Sequence, residues 1–473
     1  MIQRPTFVAA RQRLAPALLA IGLAVLPALT VAWPLDDADD TAIGRLEYMR
    51  RVEAGTLPGS KQPKGALLPT TAVDLRLLDQ PDFHVPPVDA EFSAQVRGLL
   101  GTNADRYAIA VLDLSEPHAP VYAEHNIDVR YNPGSVGKLL VAVAWMQALA
   151  DRFPDDLAAR WALLRDTRIV ADDVVYTDSH TVRRWDRDEE TLIRRALQAG
   201  DPGTLFEFLD WMISPSSNAS ASVLIRQGML LNHFGAAYPV SSADAAAFFK
   251  ATPRAELEDL LARTLQEPLT RNGFDLQQLR QGSLFTATGK RLVSGTSSHA
   301  TPRALMQLLV AIEQGKLVDP FSSRILKKLM YVTERRIRYA SSPALNDAAV
   351  YFKSGSLFRC EPEPDFVCKA YQGNKLNLMH SVAIIESPAA ERRLHYLVVV
   401  MSNILKKNSA VDHQSFGTGL EMLLRKRHAP PAAAAAGGTT TASAVEPAAP
   451  ALPAAGDNAA TPSTTVEATA TDE

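Results

Sequence analysis

A serine and a lysine stand three residues apart where a long apolar run begins. They are Ser135 and Lys138, in the segment YNPGSVGKLLVAV. Positions three apart share one face of a helix, so the amine can reach the hydroxyl. A serine hydroxyl is a poor nucleophile at neutral pH, and a buried lysine that loses its charge can act as its base. The pair alone is also compatible with a helix cap and a solvated lysine, so the chemistry depends on further groups.

Two later segments carry side chains that complement this pair. Ser216, Ser217 and Asn218 precede an apolar helical run, and Lys353-Ser354-Gly355 lies inside the strand pattern AVYFKSGSL. Each has a structural alternative, because serine and asparagine cap helices and a lysine on an edge strand discourages aggregation. A coincidence of all three segments is much less probable than one shared site.

In this order the segments resemble the Ser-x-x-Lys, Ser-x-Asn and Lys-Ser/Thr-Gly motifs of the penicillin-recognising serine enzymes, and class A β-lactamases most of all. The flanks WMISPSSNASASVLI and ATPRAL are similar to that family as well. The resemblance covers about residues 96–427. It implies an α+β fold, in which an antiparallel sheet flanked by terminal helices lies beside a large all-helical lobe.

The resemblance also implies roles for the reacting groups. Ser135 would attack an amide carbonyl and form an acyl-enzyme, with Lys138 as its base. Ser216 would relay a proton to the leaving nitrogen. Asn218 would hold both the lysine and an amide of the substrate.

The third motif would bind the substrate. Lys353 and Ser354 would face a substrate carboxylate, and Gly355 would let the substrate approach the strand edge closely. The backbone N–H groups of Ser135 and Ser356 would form the oxyanion hole.

The chain departs from the class A pattern where deacylation is concerned. Class A enzymes activate water with the glutamate of a Glu-x-x-Leu-Asn string, which residues 232–300 lack. The nearest match is Glu267, in EPLTRN, and an ordinary surface glutamate is an equal alternative. Ser217 replaces the usual aspartate, and the long spacing between Ser135 and Ser216 points to extra material at Ile169–Glu190, rich in Asp and Arg.

Three functions follow, in order of preference. The first is a periplasmic β-lactamase-like serine hydrolase, and hence antibiotic resistance. The second is a peptidoglycan D-Ala-D-Ala peptidase or transpeptidase, and the third a non-catalytic cell-wall binding or sensor domain. The expected partner is a small-molecule β-lactam or a peptidoglycan stem peptide. We expect a monomer that has no cofactor. We also expect no metal site, because the ten histidines are scattered and no metal-binding string exists.

The two ends differ from the middle of the chain. Residues 1–32 combine early arginines with an apolar stretch, which predicts a signal peptide cleaved after Ala32 and a periplasmic or secreted protein. An uncleaved anchor remains the alternative. Residues 33–95 are predicted to be a packed leader segment. The Ala/Pro/Thr-rich residues 428–473 are predicted to be a disordered tail.

The two cysteines, Cys360 and Cys368, flank a turn-rich stretch. In an exported protein they predict a disulfide, with two free thiols as the alternative. The net charge of −3 gives no electrostatic case for nucleic acid binding.

Hydrophobic periodicity predicts strands on both sides of a mostly helical stretch at 139–330, with helices at 204–213, 220–231 and 302–313. The predicted strands are 107–114, 121–125, 349–357, 381–386 and 394–402, and a last helix is predicted at about 411–427.

Overall fold

A computed structural model describes residues 38–429 of this chain. The predicted signal peptide and nearly all of the predicted tail lie outside these residues. Residues 38–428 belong to one compact unit. Within the described range, no helix is both long enough and apolar enough to cross a bilayer.

The secondary structure alternates between a terminal sheet and internal helices. The helices are α1 (Ala38–Thr41), α2 (Gly44–Glu53), α3 (Ala90–Gly98), α4 (Lys138–Arg152), α5 (Leu157–Asp166), α6 (Leu205–Ile213), α7 (Asn218–Phe234), α8 (Ser242–Ala251), α9 (Arg254–Arg271), α10 (Ala287–Leu292), α11 (Pro302–Glu313), α12 (Pro320–Tyr331) and α13 (Ala410–Arg427). The strands are β1 (Tyr107–Asp113), β2 (Val121–His125), β3 (Arg168–Val170), β4 (Thr181–Asp186), β5 (Thr191–Ala196), β6 (Pro202–Thr204), β7 (Leu279–Arg280), β8 (His299–Ala300), β9 (Ala349–Arg359), β10 (Leu376–Ser387) and β11 (Leu394–Asn403).

The main sheet is antiparallel and has five strands in the order β2-β1-β11-β10-β9. The first two strands of the chain therefore join the last three, with the helical segments inserted between them. Strand β9, which carries Lys353-Ser354-Gly355, is an edge strand and pairs only with β10 within this sheet. Its free edge is available to meet the turn that holds Ser135.

Both faces of the sheet are covered, so its strands are apolar almost throughout. Ile109 and Val111 of β1 pack in one core cluster with residues of α3 and α13. The alternate residues Ala108, Ala110 and Leu112 belong to the other cluster, with the helices of the lobe. This arrangement confirms the predicted α+β class, with terminal helices on one face of the sheet and a helical lobe on the other.

Predicted and observed elements agree within a few residues in the sheet and at α11, where Thr301 caps the helix and Pro302 follows it. The predicted mostly helical stretch is wrong between residues 168 and 204. There β3 pairs with β6, and β4 with β5. These four strands, with the connections between them, are called the hairpin segment here. Because its charged side chains follow no clear apolar period, neither helix nor strand can be inferred from hydrophobicity alone.

A buried ion pair joins the leader to the helical lobe. The guanidinium of Arg45 on α2 donates to both carboxylate oxygens of Asp210 on α6, at 2.6 and 2.5 Å, and to the carbonyl of Val332 at 2.6 Å. Neither charged side chain is exposed. Three elements far apart in the sequence therefore depend on one guanidinium.

We expect Arg45→Met to lower the free energy of unfolding by about 3–5 kcal/mol, because it leaves the Asp210 carboxylate buried without a partner. Denaturant unfolding measures the change. Arg97→Ala, which removes an exposed pair with Asp105, is the matched control and should change stability little. Equal stability of Arg45→Met and wild type would contradict the importance of this contact.

Candidate active site

The turn that carries Ser135 is shaped by its neighbours before any catalytic contact is considered. The side-chain oxygen of Asn132 accepts from the backbone N–H of Gly134 at 2.9 Å. Gly134 has a φ of +52°, a left-handed conformation that glycine adopts most readily. A short 3₁₀ turn, Gly134–Gly137, then runs directly into α4. Ser135 therefore stands half-buried at the entrance of a buried helix.

Strand β9 approaches this turn so closely that side chains are excluded. A Cβ on Gly355 would lie 2.3 Å from the carbonyl oxygen of Pro133 and 3.1 Å from the backbone nitrogen of Ser135. A Cβ on Gly134 would lie 3.0 Å from the carbonyl oxygen of Ser356 and 3.1 Å from its nitrogen. The two predicted oxyanion-hole nitrogens, of Ser135 and Ser356, thus belong to backbones in direct contact.

Lys138 lies at the centre of the site and is fully buried. Its Nζ donates to Ser135 Oγ at 2.9 Å, to Asn218 Oδ1 at 2.7 Å and to the carbonyl of Ser216, and lies 3.4 Å from Ser216 Oγ. The first and second motifs therefore meet at one nitrogen.

The protonation of Lys138 suits a base. Burial lowers the pKa of Lys138 to about 7, although the carboxylate of Asp178 acts in the opposite direction. The ring of Phe285 covers the amine on another side, with Nζ 5.0 Å from the ring centroid. A substantial share of the amine is therefore neutral at pH 7, as proton abstraction from a serine requires.

Ser216 connects this lysine to the third motif. Its hydroxyl accepts from Lys353 Nζ at 2.8 Å and lies on the other side within reach of Lys138. Ser216 also has a φ of +67°, which is uncommon for a residue with a side chain. A strained backbone that places a hydroxyl between two amines is typical of a functional position.

Two basic side chains, Lys353 and Arg338, lie beside the strand edge. Burial lowers the pKa of Lys353 well below its usual value, and Lys138 and Arg338 lower it further. Arg338 donates to the carbonyl of Gly355 at 2.6 Å and to Ser356 Oγ at 3.0 Å. Within the described part of the chain, Lys353 Nζ donates to Ser216 Oγ and to the carbonyl of Ser354. A bound carboxylate would supply the missing negative charge.

Arg338 was not predicted from the sequence. It is the last residue of a short basic run, RRIR, in the connection between α12 and β9, and no motif distinguishes it from the other arginines. Its φ of +53° and its contact with the third motif become visible only in three dimensions.

A second unpredicted residue braces the second motif. Asp178 lies in the hairpin segment, and its Oδ2 accepts from Ser217 Oγ and from the backbone N–H of Ala219, both at 2.8 Å. Residues 169–190 are rich in Asp and Arg, but this composition does not identify which carboxylate returns to the site.

The structure does not bring Glu267 to the other predicted residues. Glu267 is exposed on α9, one turn before Arg271, which pairs with Asp151 at 2.6 Å. Asp151 is near the end of α4, about 20 Å from Lys138 by helix rise. This geometry corrects the prediction that Glu267 activates water. That prediction depended on a sequence string that matches the family pattern only in part.

Phe285 and Gln281, rather than a glutamate, face the serine turn from the segment before α10. A Cβ on Gly137 would meet Gln281 Oε1 at 2.2 Å, and Phe285 covers Lys138. This segment is fixed to α7, because Ser222 Oγ accepts from the backbone N–H groups of Phe285 and Thr286. Among the described residues, the hydrogen-bond partners of Ser135 and Lys138 include no carboxylate.

The remaining predicted residues lie in the third motif or shortly after it. Ser354 is buried, and its carbonyl accepts from Lys353 at 3.0 Å. Cys360 and Cys368 form a disulfide just after the end of β9. The disulfide closes a short loop in the connection between β10 and β9, the strand that borders the site.

Acylation at Ser135 should rise with pH through about 7, because only the neutral form of Lys138 accepts the serine proton. Labelling rates with a fluorescent penicillin over about pH 5.5–8.5 measure this limb. Lys138→Arg, which stays protonated, should abolish labelling at every pH. A labelling rate that is independent of pH would exclude Lys138 as the base.

No protein-family model and no curated protein matches the sequence. Solved structures that are similar to the chain include a β-lactamase from Sphaerobacter thermophilus DSM 20745, with 17% identity, a TM-score of 0.44 and coverage of 72% of this chain and 98% of that one. A structure of PBP-A gives 14% identity, a TM-score of 0.44 and coverage of 72% and 100%. A β-lactamase from Chitinophaga pinensis DSM 2588 gives 18%, 0.43, and 70% and 98%. Values this low support no inference about activity.

Proposed function

We propose that this protein is an acyl-transfer enzyme of the penicillin-recognising type, which forms an acyl-enzyme at Ser135. The observation that carries the proposal is the continuous series of hydrogen bonds that joins Ser135, Lys138, Ser216 and Lys353. Within it, burial lowers the pKa of the Lys138 amine to about 7. Helix capping and an edge-strand charge account for each motif alone. They do not require the first two motifs to meet at the nitrogen of Lys138, or the third to join them through Ser216.

The acylation step follows from the positions of these groups. Ser135 Oγ attacks the amide carbonyl while Lys138 Nζ, 2.9 Å away, takes its proton. The N–H groups of Ser135 and Ser356 stabilise the developing oxyanion. The proton then passes from Lys138 through the Ser216 hydroxyl to the leaving nitrogen, and the carbon–nitrogen bond breaks.

The basic side chains beside β9 select the substrate, because a bound carboxylate favours their charged forms. Lys353 and Arg338 flank Ser354–Ser356, so a substrate with a terminal carboxylate would be held beside the strand edge. Asn218, whose oxygen accepts from Lys138, keeps an amide N–H₂ for a carbonyl of the substrate. A peptide ending in D-Ala-D-Ala and a β-lactam both present an amide and a carboxylate.

Release of the acyl group decides between the two enzymatic functions. Rapid hydrolysis needs a base that activates water at the ester, and Phe285 occupies the side of Lys138 where the 281–285 segment approaches. We therefore favour the peptidase or transpeptidase, in which a β-lactam is retained as a stable adduct, over the β-lactamase. Export through residues 1–32, a periplasmic location and a monomeric state remain part of this proposal.

The full-length protein should acquire one fluorescent penicillin per chain, while a chromogenic cephalosporin turns over slowly. Ser135→Ala should remove the label, because Ser135 supplies the hydroxyl beside the oxyanion-hole backbones, whereas the Ser216 hydroxyl lies between Lys138 and Lys353. Gel fluorescence and absorbance measure the two outcomes. Rapid steady turnover would contradict slow deacylation, and equal signals from Ser135→Ala and wild type would contradict the enzymatic proposal.

Two substitutions test how the acyl group is released. Phe285→Glu places a carboxylate beside the site and should shorten the lifetime of the penicillin adduct by about tenfold or more, which is the usual effect of a positioned base. Phe285→Leu is the matched control for lost packing. Glu267→Gln should leave the lifetime of the adduct unchanged, because Glu267 lies on α9, beside the end of α4 that is far from Lys138. A longer adduct lifetime in Glu267→Gln would restore that residue to the mechanism.

A further inference from the structure

We propose that Asp178 is a positioning residue for the second motif, and that it supplies from the hairpin segment the carboxylate that this motif lacks at Ser217. The inference rests on the proposed function, because the motif matters for catalysis only if Ser135 is acylated. Asp178 touches no reacting atom. It acts through Ser217 and Ala219, which enclose Asn218 on both sides in the sequence.

The first support is the way Asp178 holds the start of α7. Its Oδ2 accepts from Ser217 Oγ and Ala219 N, both at 2.8 Å. Ser217 Oγ in turn accepts from the N–H of Ser220 at 3.1 Å as the helix N-cap. An aspartate at position 217 would reach the same region directly, whereas serine needs a second side chain to bring a negative charge.

The second support is that Asp178 is itself built into place. Its side chain is only 1% exposed, and its Oδ1 binds His180 Nδ1 at 2.6 Å and the His180 N–H at 3.1 Å. Burial disfavours the charged carboxylate, but these bonds and the N–H of Ala219 lower the pKa of Asp178 to about 2. Asp178 is therefore ionised throughout the pH range in which Lys138 titrates.

The turn that carries Asp178 also binds the start of α10, which directly follows the segment that covers Lys138. Thr177 Oγ1 accepts from the N–H of Ala287 at 3.1 Å, and Thr288 Oγ1 donates to the carbonyl of Tyr176 at 3.1 Å. The same turn thus joins the second motif to the start of α10. The hairpin segment is in this sense part of the site rather than a surface addition.

The charge of Asp178 gives a measurable effect beyond simple bracing. Asp178 opposes the loss of the proton from Lys138, while Lys353 is the second amine in contact with Ser216. Arg338 faces Lys353, and His180 faces Asp178. Removing the carboxylate should therefore shift the acid limb of acylation to lower pH, in addition to loosening Asn218. A purely structural contact would lower stability without moving this limb.

The test moves the carboxylate between its two positions in the full-length protein. Asp178→Ala should slow penicillin labelling about 10- to 100-fold, as a small misplacement of reacting groups does. Asp178→Asn, which keeps the shape but not the charge, should shift the acid limb to lower pH.

Ser217→Asp should slow labelling in the wild-type background, where two carboxylates would compete, but restore it in Asp178→Ala. Asp188→Asn, exposed in the same segment, is the control and should behave like wild type.

The outcomes separate the inference from the proposed function. If wild type is labelled and Asp178→Asn keeps both its rate and its pH profile, or if Ser217→Asp fails to rescue Asp178→Ala, the inference is overturned. If wild type is not labelled, the proposed function fails. In that case thermal unfolding tests whether Asp178 and an aspartate at 217 hold the same charge position. The double variant must unfold at a higher temperature than either Asp178→Ala or Ser217→Asp. Additive losses of unfolding temperature in the double variant would overturn the placement of the charge.

Discussion

The structure depends most on one buried amine. Lys138 lies where α4 begins, and Ser135, Ser216 and Asn218 converge on its nitrogen from a turn and the start of α7. A charged amine in this place costs several kcal/mol of desolvation, so burial shifts it towards neutrality. The same burial therefore makes the site expensive to build and gives the lysine the protonation that a base requires.

The sheet and the lobe are arranged so that this amine has partners from both. Edge strand β9 brings Lys353 to Ser216, and glycines at 134 and 355 let two backbones come close enough for their N–H groups to act together. Contact distances require the glycine at 355, and a left-handed backbone together with a close contact favours the glycine at 134. Arg45 and Asp210 perform a comparable task for the scaffold, since they bind the leader to the lobe through one buried ion pair.

Local patterns in the sequence predicted much of this arrangement. Short apolar runs located β1, β10 and β11, and hydrophobic periodicity at 302–313 located α11, because the hydrophobic pattern is a local property. The three motifs predicted which side chains would meet. Asp178 and Arg338 could not be predicted, because each reaches the site from a segment whose position depends on tertiary packing. Glu267 was misassigned for the same reason: a near match in sequence does not say which end of α4 a helix will contact.

Formation and persistence of a penicillin adduct on Ser135 test the central claim most directly. Peptide mapping by mass spectrometry, over a time course after excess penicillin is removed, identifies the modified residue and measures the lifetime of the adduct. The proposal predicts a single adduct on the peptide that contains Ser135, still present long after a β-lactamase would have hydrolysed it. An unmodified Ser135 peptide, with intact penicillin remaining in solution, would contradict the account.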